Sequence, residues 1–172
     1  VNVLQDYMDN GGKIICLLAY TDKSMSHLYG FLKDYGMTVS DGYIADTERC
    51  YQGNYYYLIP NVTASGDMAS GMTSNSVLLV NSKGLTVSDP DDDSITTESF
   101  MTTSKNGYDI TEKGQTQGTY TLGATAEQTV SVKNKDGDEE DTESRLTVYG
   151  SNMLIDEQLT SSFSNLENLT LF

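Results

Sequence analysis

The sequence predicts an α/β domain, a three-layer sandwich with a mainly parallel sheet and some antiparallel additions. Two observations lead to this fold class. An unbroken apolar run at residues 14–19 lacks polar alternation, which is typical of a central strand covered on both faces. A helical pattern and a second strand at residues 37–46 follow within a length that fits a right-handed crossover between parallel strands.

Two helices are predicted near the start of the chain. Residues 1–10 have helical periodicity, with Leu4, Tyr7 and Met8 on one face, and the glycines at 11–12 end this helix. A second helix is predicted over roughly residues 25–35 and ends at Gly36. Its buried stripe consists of Leu28, Phe31, Leu32 and Tyr35.

Further strands are predicted at residues 55–60, 77–87 and 99–104, with a short helix near 67–72. Residues 119–132 form either a strand pair or one long strand with a bulge at Gly123. The final segment is predicted as strand, glycine turn and helix, with Leu166, Leu169 and Phe172 at helical spacing.

Charge excludes some partners. Ten Lys and Arg face 25 Asp and Glu, a formal charge of −15, which repels nucleic acid and anionic lipid headgroups. Acidity also simply favours solubility. The chain begins at Val1 with helical periodicity already under way, and we expect a single domain over 1–172 that belongs to a longer, membrane-anchored protein.

The residues for nucleophilic catalysis are few. His27 is the one histidine, and neither Cys16 nor Cys50 lies in a nucleophile motif or a metal-ligand spacing. We therefore expect no enzyme, no cofactor and no metal. The alternative is a degenerate amidotransferase-like or hydrolase-like enzyme that uses Cys50 with His27.

Two acidic segments invite a calcium interpretation but lack the EF-hand ligand register. They contain Asp89 and Asp91–93, and Asp136, Asp138, Glu139, Glu140, Asp141 and Glu143. Solvated loops are the simpler interpretation. Among Tyr55–57 we expect Tyr56 in the core and its neighbours exposed. Sequons begin at Asn61 and Asn168, and they are relevant where the source glycosylates proteins.

Two turns are candidate binding sites. One turn delivers Gly150, Ser151 and Asn152 to a helix start, where backbone N–H groups accept an anion or a partner's carboxylate. Ordinary capping by Ser151 or Asn152 is the alternative. The other turn follows the first strand and offers capping oxygens from Thr21, Asp22 and Ser24. In an open α/β sheet both turns lie where ligands bind.

Three blocks of the sequence resemble the extracytoplasmic domain of gliding-motility-type ABC transporter auxiliary proteins. They are LQDYMDNGGKIICLLAY with LYGFLKDYGMTVSDGYIAD, then SFMTTSKNGYDI, and last RLTVYGSNMLIDEQLTSSFSNLENLTLF. The resemblance implies a flavodoxin-like or class I glutamine amidotransferase-like fold without catalytic residues. It also implies an accessory role beside ABC permease and ATPase subunits, with membrane attachment through flanking segments. Asn152 departs from the family pattern, so no family ligand site is transferred.

Overall fold

The computed structural model describes residues 2–19, 21, 23–63, 71–74, 76–163 and 165–171. Within these residues the chain forms thirteen strands, three α-helices and two 3-10 helices. In chain order they are α1 (Asn2–Asp9), β1 (Lys13–Leu17), α2 (Ser26–Asp34), β2 (Met37–Val39), β3 (Tyr43–Asp46), β4 (Cys50–Tyr51), β5 (Asn54–Leu58), β6 (Asn61–Val62), β7 (Leu79–Val80), β8 (Leu85–Val87), β9 (Ile95–Thr102), β10 (Gly107–Thr111), β11 (Gly114–Gly118), β12 (Thr121–Lys133), β13 (Glu139–Tyr149), a 3-10 helix (Asn152–Ile155), α3 (Glu157–Ser162) and a second 3-10 helix (Asn168–Leu171).

The largest sheet has seven strands in the order β1-β13-β12-β8-β2, with β9 paired along β12 and β6 paired with β9. Within the described part of the chain, β1 and β13 are the single parallel pair. The predicted three-layer α/β sandwich, flavodoxin-like or amidotransferase-like with a mainly parallel sheet, is therefore wrong. The fold is mostly β, with mixed sheets and few helices.

The prediction failed first at residues 37–46, where two strands replace one. β2 pairs antiparallel with β8 in the large sheet, whereas β3 pairs antiparallel with β10 in a three-stranded sheet of order β11-β10-β3. Gly42 lies between β2 and β3, and a Cβ there would collide with Asp109 and with the backbone of Ile110. A glycine is needed at this crossing, and it lets the chain change sheets within three residues.

The first strand is also not central. β1 lies at the edge of the large sheet and pairs only with β13 among the described strands. Ile14 and Cys16 pack against the core beneath α1 and α2, but Ile15, which points to the opposite face, is 53% exposed. Covering on both faces, as the apolar run predicted, is therefore wrong at Ile15, although Leu17 at the end of the strand packs partly against the second core cluster.

The core lies on both sides of the large sheet. On one side α1 and α2 contribute Met8, Phe31 and Leu32, which pack against Leu146 and Val148 of β13. On the other side the small sheets pack against the ends of β9, β12 and β13. This second cluster includes Ile44, Leu58, Phe100, Leu122 and Tyr149, and the Phe100 and Tyr149 rings meet edge to face at 5.5 Å.

Several local predictions are confirmed. α1 and α2 end at Gly11 and Gly36, whose φ angles of +77° and +76° are the left-handed values that glycine adopts most easily. In α2, Phe31 and Leu32 are buried. Residues 121–133 form one long strand, β12, and its register shifts at Gly123, where the bulge was predicted.

The second acidic segment is part of a hairpin and not a charged loop. Glu139, Glu140 and Asp141 begin β13 and pair with Lys133, Val132 and Ser131 of β12. The turn between the strands is closed by Asn134, whose side-chain oxygen accepts hydrogen bonds from the N–H groups of Asp136 and Asp138, each at 3.0 Å.

The tyrosine run and the end of the chain also differ from expectation. Tyr56 is 37% exposed and Tyr55 50% exposed, whereas Tyr57 packs against the cluster around Leu78 and Val80. Among the described residues at the end of the chain the predicted helical stripe is not formed, because Leu169 is 61% exposed and lies in a 3-10 helix. Phe172, and residues 67–70 of the predicted short helix, lie outside the described residues.

Candidate functional site

A surface cleft lies at the carboxyl end of β1. The loop after β1 contributes Thr21, Lys23 and Ser24, the turn after β2 contributes Ser40 and Asp41, and Lys83 enters from the connection between β7 and β8. The cleft volume is about 390 Å³. Hydroxyl, ammonium and carboxylate groups from separate segments therefore lie at one opening.

Lys83 is a cation of this cleft with several contacts to neighbouring groups. Its Nζ donates hydrogen bonds to the carbonyl oxygens of Asp41 at 2.6 Å and Ser40 at 3.3 Å, and it lies 4.9 Å from the centre of the Tyr43 ring. Burial lowers the pKa of Lys83 from its ordinary value, while the nearby carboxylates of Asp109 and Asp41 oppose that shift. The side chain is thus held in one place by two carbonyls and a ring.

The backbone of Lys83 is positioned by Gly150. The Lys83 N–H donates to the Gly150 carbonyl at 2.8 Å, and the Gly150 N–H donates to the Leu122 carbonyl at 2.8 Å. A Cβ at Gly150 would collide with the Lys83 carbonyl oxygen and the Ser82 hydroxyl. Gly150 therefore does not line the cleft but packs directly behind the segment that carries Lys83.

Ser151 and Asn152 have structural partners in the folded chain. The Ser151 hydroxyl is buried, donates to the Val80 carbonyl at 2.6 Å and accepts from the Met153 N–H at 3.1 Å. Capping by Ser151, the alternative to a binding role, is therefore confirmed. The Asn152 N–H donates to the Leu18 carbonyl at 2.8 Å, which ties the end of β1 to the turn after β13.

The two predicted turns lie at the same edge of the large sheet, because β1 and β13 are parallel neighbours. Thr21 and Ser24 line the cleft, whereas Gly150 and Ser151 lie behind it. Asp22 is outside the described residues. A binding role for these residues stays a prediction.

The predicted capping of α2 is not observed among the described residues. The N-cap is Met25, which makes no side-chain hydrogen bond to the helix. The Thr21 hydroxyl accepts instead from the Lys23 N–H at 3.1 Å and closes a local turn. Thr21 and Ser24 thus present hydroxyl groups to the cleft rather than to the helix end.

Sequence reasoning missed Lys83, Ser40 and Tyr43. No motif marks them, and each reaches the cleft through contacts with residues far away in the chain. The one available signal was weak: Lys83 is one of ten basic residues in a chain with 25 acidic ones, and it lies in a short turn after an apolar strand.

The thiol and imidazole of the alternative enzyme lie on separate elements. His27 is exposed on α2, and Cys50 is half-buried in β4, which belongs to a sheet of order β4-β5-β7. Burial raises the pKa of the other thiol, Cys16.

The acidic loop after β8 borders a second groove of about 450 Å³. Asp89, Asp91 and Asp92 line it together with Asp9 and Asp34. In the part of the chain that the structure describes, no group of three or more acidic, histidine or cysteine side chains converges as a metal site would require. None of the described helices has the length and apolar character needed to cross a bilayer.

Comparison with known proteins identifies a fold and no family. No protein-family model matches the sequence, and no curated protein matches it. A solved structure described as the mmIFT52 N-terminal domain is similar, with a TM-score of 0.57 and 17% identity over 99% of this chain. The chain spans 65% of that structure's length. At this identity the likeness shows the fold alone.

Proposed function

We propose that this chain is a noncatalytic accessory domain that docks onto subunits of an ABC-type transport system or captures its cargo outside the cytoplasm. The resemblance of three sequence blocks to transporter auxiliary proteins supports this role. The docking face is the cleft at the carboxyl end of β1. Permease and ATPase subunits are the expected partners, and attachment to the membrane is through flanking segments.

The observation that carries the proposal is the charge of the cleft. Lys23 and Lys83 face one opening, which Asp41 also lines, on a chain whose formal charge is −15, so the two ammonium groups outnumber the carboxylate there although Asp41 and Asp109 lie near Lys83. Complementary charge raises the association rate and fixes the orientation of a partner. An acidic segment of a partner is therefore attracted to this cleft and repelled by most of the remaining surface.

The hydrogen bonds of polar residues in the three blocks that resemble transporter proteins also favour a noncatalytic role. Ser151 and Asn168 of the last block bind backbone groups of the β7 segment, and Ser104 of the middle block binds Asp46 of the first. These side chains hold the strands and turns together. Their presence in the three blocks is therefore explained by the fold and needs no catalytic role.

Photo-crosslinking in native membranes tests the proposal. A photo-reactive amino acid replaces Ser24 in the cleft of the full-length protein, and a matched control replaces Ser131, which is exposed on β12 away from the cleft. We expect an ABC permease subunit, identified by mass spectrometry, in the adduct from position 24 alone. Adducts without a transport subunit would contradict docking, and equal adducts from both positions would contradict a role of the cleft.

A further inference from the structure

A second, more apolar hollow adjoins the cleft. Tyr43, Tyr56, Asn81 and Ile110 line it, and its volume is about 350 Å³. Three of these four side chains offer apolar area. Because the Tyr56 side chain is 37% exposed, a ligand in this hollow remains accessible from solvent.

Tyr43 lines both the cleft and the hollow. It pairs with Ile110 across β3 and β10, which places both side chains at the hollow. The Asn81 N–H donates to the Tyr56 carbonyl at 3.1 Å, and Lys83 follows two residues later with its ammonium over the Tyr43 ring. The segment 81–83 therefore borders both the cleft and the hollow, and the Lys83 ammonium lies at their boundary.

The cation side of this boundary can bind a carboxylate. An ammonium group has three N–H donors, and Lys83 uses two of them for the carbonyls of Ser40 and Asp41. Lys23 is exposed and supplies a second ammonium at the same opening, and Thr21 and Ser24 add hydroxyl donors. Asp41 also lines the opening, and the Asp41 and Asp109 carboxylates lie near Lys83, so the exposed Lys23 supplies the ammonium that is less compensated. Hydrogen bonds from ammonium to carboxylate are about twice as strong as neutral ones.

The carboxyl terminus of a protein combines the two required groups in one residue. Its free carboxylate and its last side chain branch from the same Cα, and capture of a terminal carboxylate is a recurring mode of peptide recognition. An apolar last side chain would bury against Tyr43 and Tyr56 while the carboxylate binds Lys83 and Lys23.

On the basis of the docking function proposed above, we infer that the cleft and the hollow together bind the carboxyl terminus of a partner protein whose last residue is apolar. Lys23 and Lys83 bind the terminal carboxylate. Tyr43, Tyr56 and Ile110 contact the last side chain.

Peptide titrations followed by amide NMR of the purified chain test this inference. The probe is an acetylated hexapeptide of alternating glycine and serine that ends in phenylalanine with a free carboxylate. Two matched peptides carry a terminal amide or end in serine. We expect both changes to weaken binding by at least about tenfold, the effect of losing one charge-assisted hydrogen bond or a buried aromatic ring.

Protein variants assign the two halves of the site. Lys23→Gln and Lys83→Gln should each weaken the affinity for the peptide that ends in phenylalanine by about tenfold. Tyr56→Ala should abolish the preference for a terminal phenylalanine over a terminal serine. Lys133→Gln, at the exposed end of β12, is the charge-matched control and should bind like the parent. Should Lys83→Gln fail to fold, Lys23→Gln carries the test, because Lys23 is exposed.

Three outcomes would overturn the inference: equal binding of acid and amide, equal binding by the parent and Lys23→Gln, and no binding of any peptide. Competition by free acetate at the same concentration as the peptide would reveal an adventitious anion site only. A transport-subunit adduct at position 24 without peptide binding would leave the docking function standing and remove the carboxyl-terminus inference. Peptide binding without such an adduct would remove the transport role.

Discussion

Asp46 and Ser104 are joined by two hydrogen bonds although 58 residues separate them in the chain. The Ser104 N–H donates to Asp46 Oδ2 at 2.7 Å, and the Ser104 hydroxyl donates to Asp46 Oδ1 at 2.9 Å. The same Oδ1 accepts from the N–H groups of Glu48 and Arg49. A carboxylate at the end of β3 thereby fixes the turn between β9 and β10 and its own following turn.

The first prediction concerns Asp46, which is 1% exposed. Burial alone would raise the pKa of its carboxyl, but hydrogen bonds from Arg49, Ser104 and Glu48 outweigh burial and lower the pKa. Asp46→Asn replaces an acceptor with an amide that faces N–H donors, so we expect the free energy of unfolding to fall by about 1.5–3 kcal/mol. Urea unfolding at pH 7 measures this loss.

The control for Asp46 is Asp93→Asn, since Asp93 is exposed on the loop after β8. Its substitution should change the free energy of unfolding by less than about 0.5 kcal/mol. Equal urea midpoints for the parent and Asp46→Asn would show that this carboxylate does not hold the two turns together.

The sequence predicted features that local chemistry determines. Gly11 and Gly36 end helices and Gly123 marks a bulge, because each signal acts within a few residues of its own position. Sheet partners depend on distant residues and were mispredicted. Nothing in the apolar run at 14–19 distinguishes a central strand from an edge strand that is covered along one face by α1 and α2 and on the other face mainly at Leu17.

In the candidate site, too, residues placed by local sequence were predicted and residues placed by distant contacts were not. Thr21 and Ser24 were predicted as binding residues at the end of the first strand, and they line the cleft, but a binding role for them stays a prediction. Lys83 was missed because its place depends on Gly150, on the turn at Ser40 and on the Tyr43 ring, none of which is near it in the sequence.

The second prediction concerns Asn168, which is fully buried. Its Oδ1 accepts from the Leu78 N–H at 2.9 Å, and its Nδ2 donates to the carbonyls of Leu78 at 2.9 Å and Leu154 at 3.0 Å. Asn168→Ala leaves three buried backbone groups without these partners, so we expect a loss of about 3 kcal/mol in the free energy of unfolding.

Thermal or urea unfolding of Asn168→Ala and of Asn165→Ala measures the contrast, because Asn165 is exposed three residues earlier. A similar effect of both substitutions would refute the buried role. The same burial makes the Asn168 sequon inaccessible in the folded chain, whereas the Asn61 sequon is exposed.

The third prediction is a pH dependence at Glu167. Its Oε1 accepts from the Thr73 hydroxyl at 2.6 Å and the Thr73 N–H at 2.7 Å, and its Oε2 accepts from the Ser74 N–H at 3.0 Å. These bonds, with those of Thr73 first, lower the pKa of Glu167 to about 2 from an ordinary 4.5. The stabilisation is therefore complete above pH 4.5 and is lost as the pH falls toward 2.

We expect Glu167→Gln to unfold more easily than the parent at neutral pH and to approach it as the pH falls from 4.5 to 2. Urea unfolding of both proteins across this range measures the difference, with Glu157→Gln as the exposed control. A difference that is constant with pH would refute the coupling between Glu167 ionisation and the attachment of the 73–74 segment.

The last prediction contrasts Ile15, in the middle of β1, with Leu18, which directly follows the strand; both were expected to be buried. Leu18 is 4% exposed and packs in the cluster beneath α2, whereas Ile15 is 53% exposed on the opposite face. Large-to-small changes in a core cost about 2–5 kcal/mol, because transfer energy is lost and a cavity remains. Leu18→Ala should fall in that range. Ile15→Ala should cost less than about 1 kcal/mol, since much of its side chain is already in water.

Urea unfolding of the two variants beside the parent provides the measurement. Comparable severe losses would show that a second layer covers the Ile15 face, and would restore the doubly covered sheet that the sequence alone predicted.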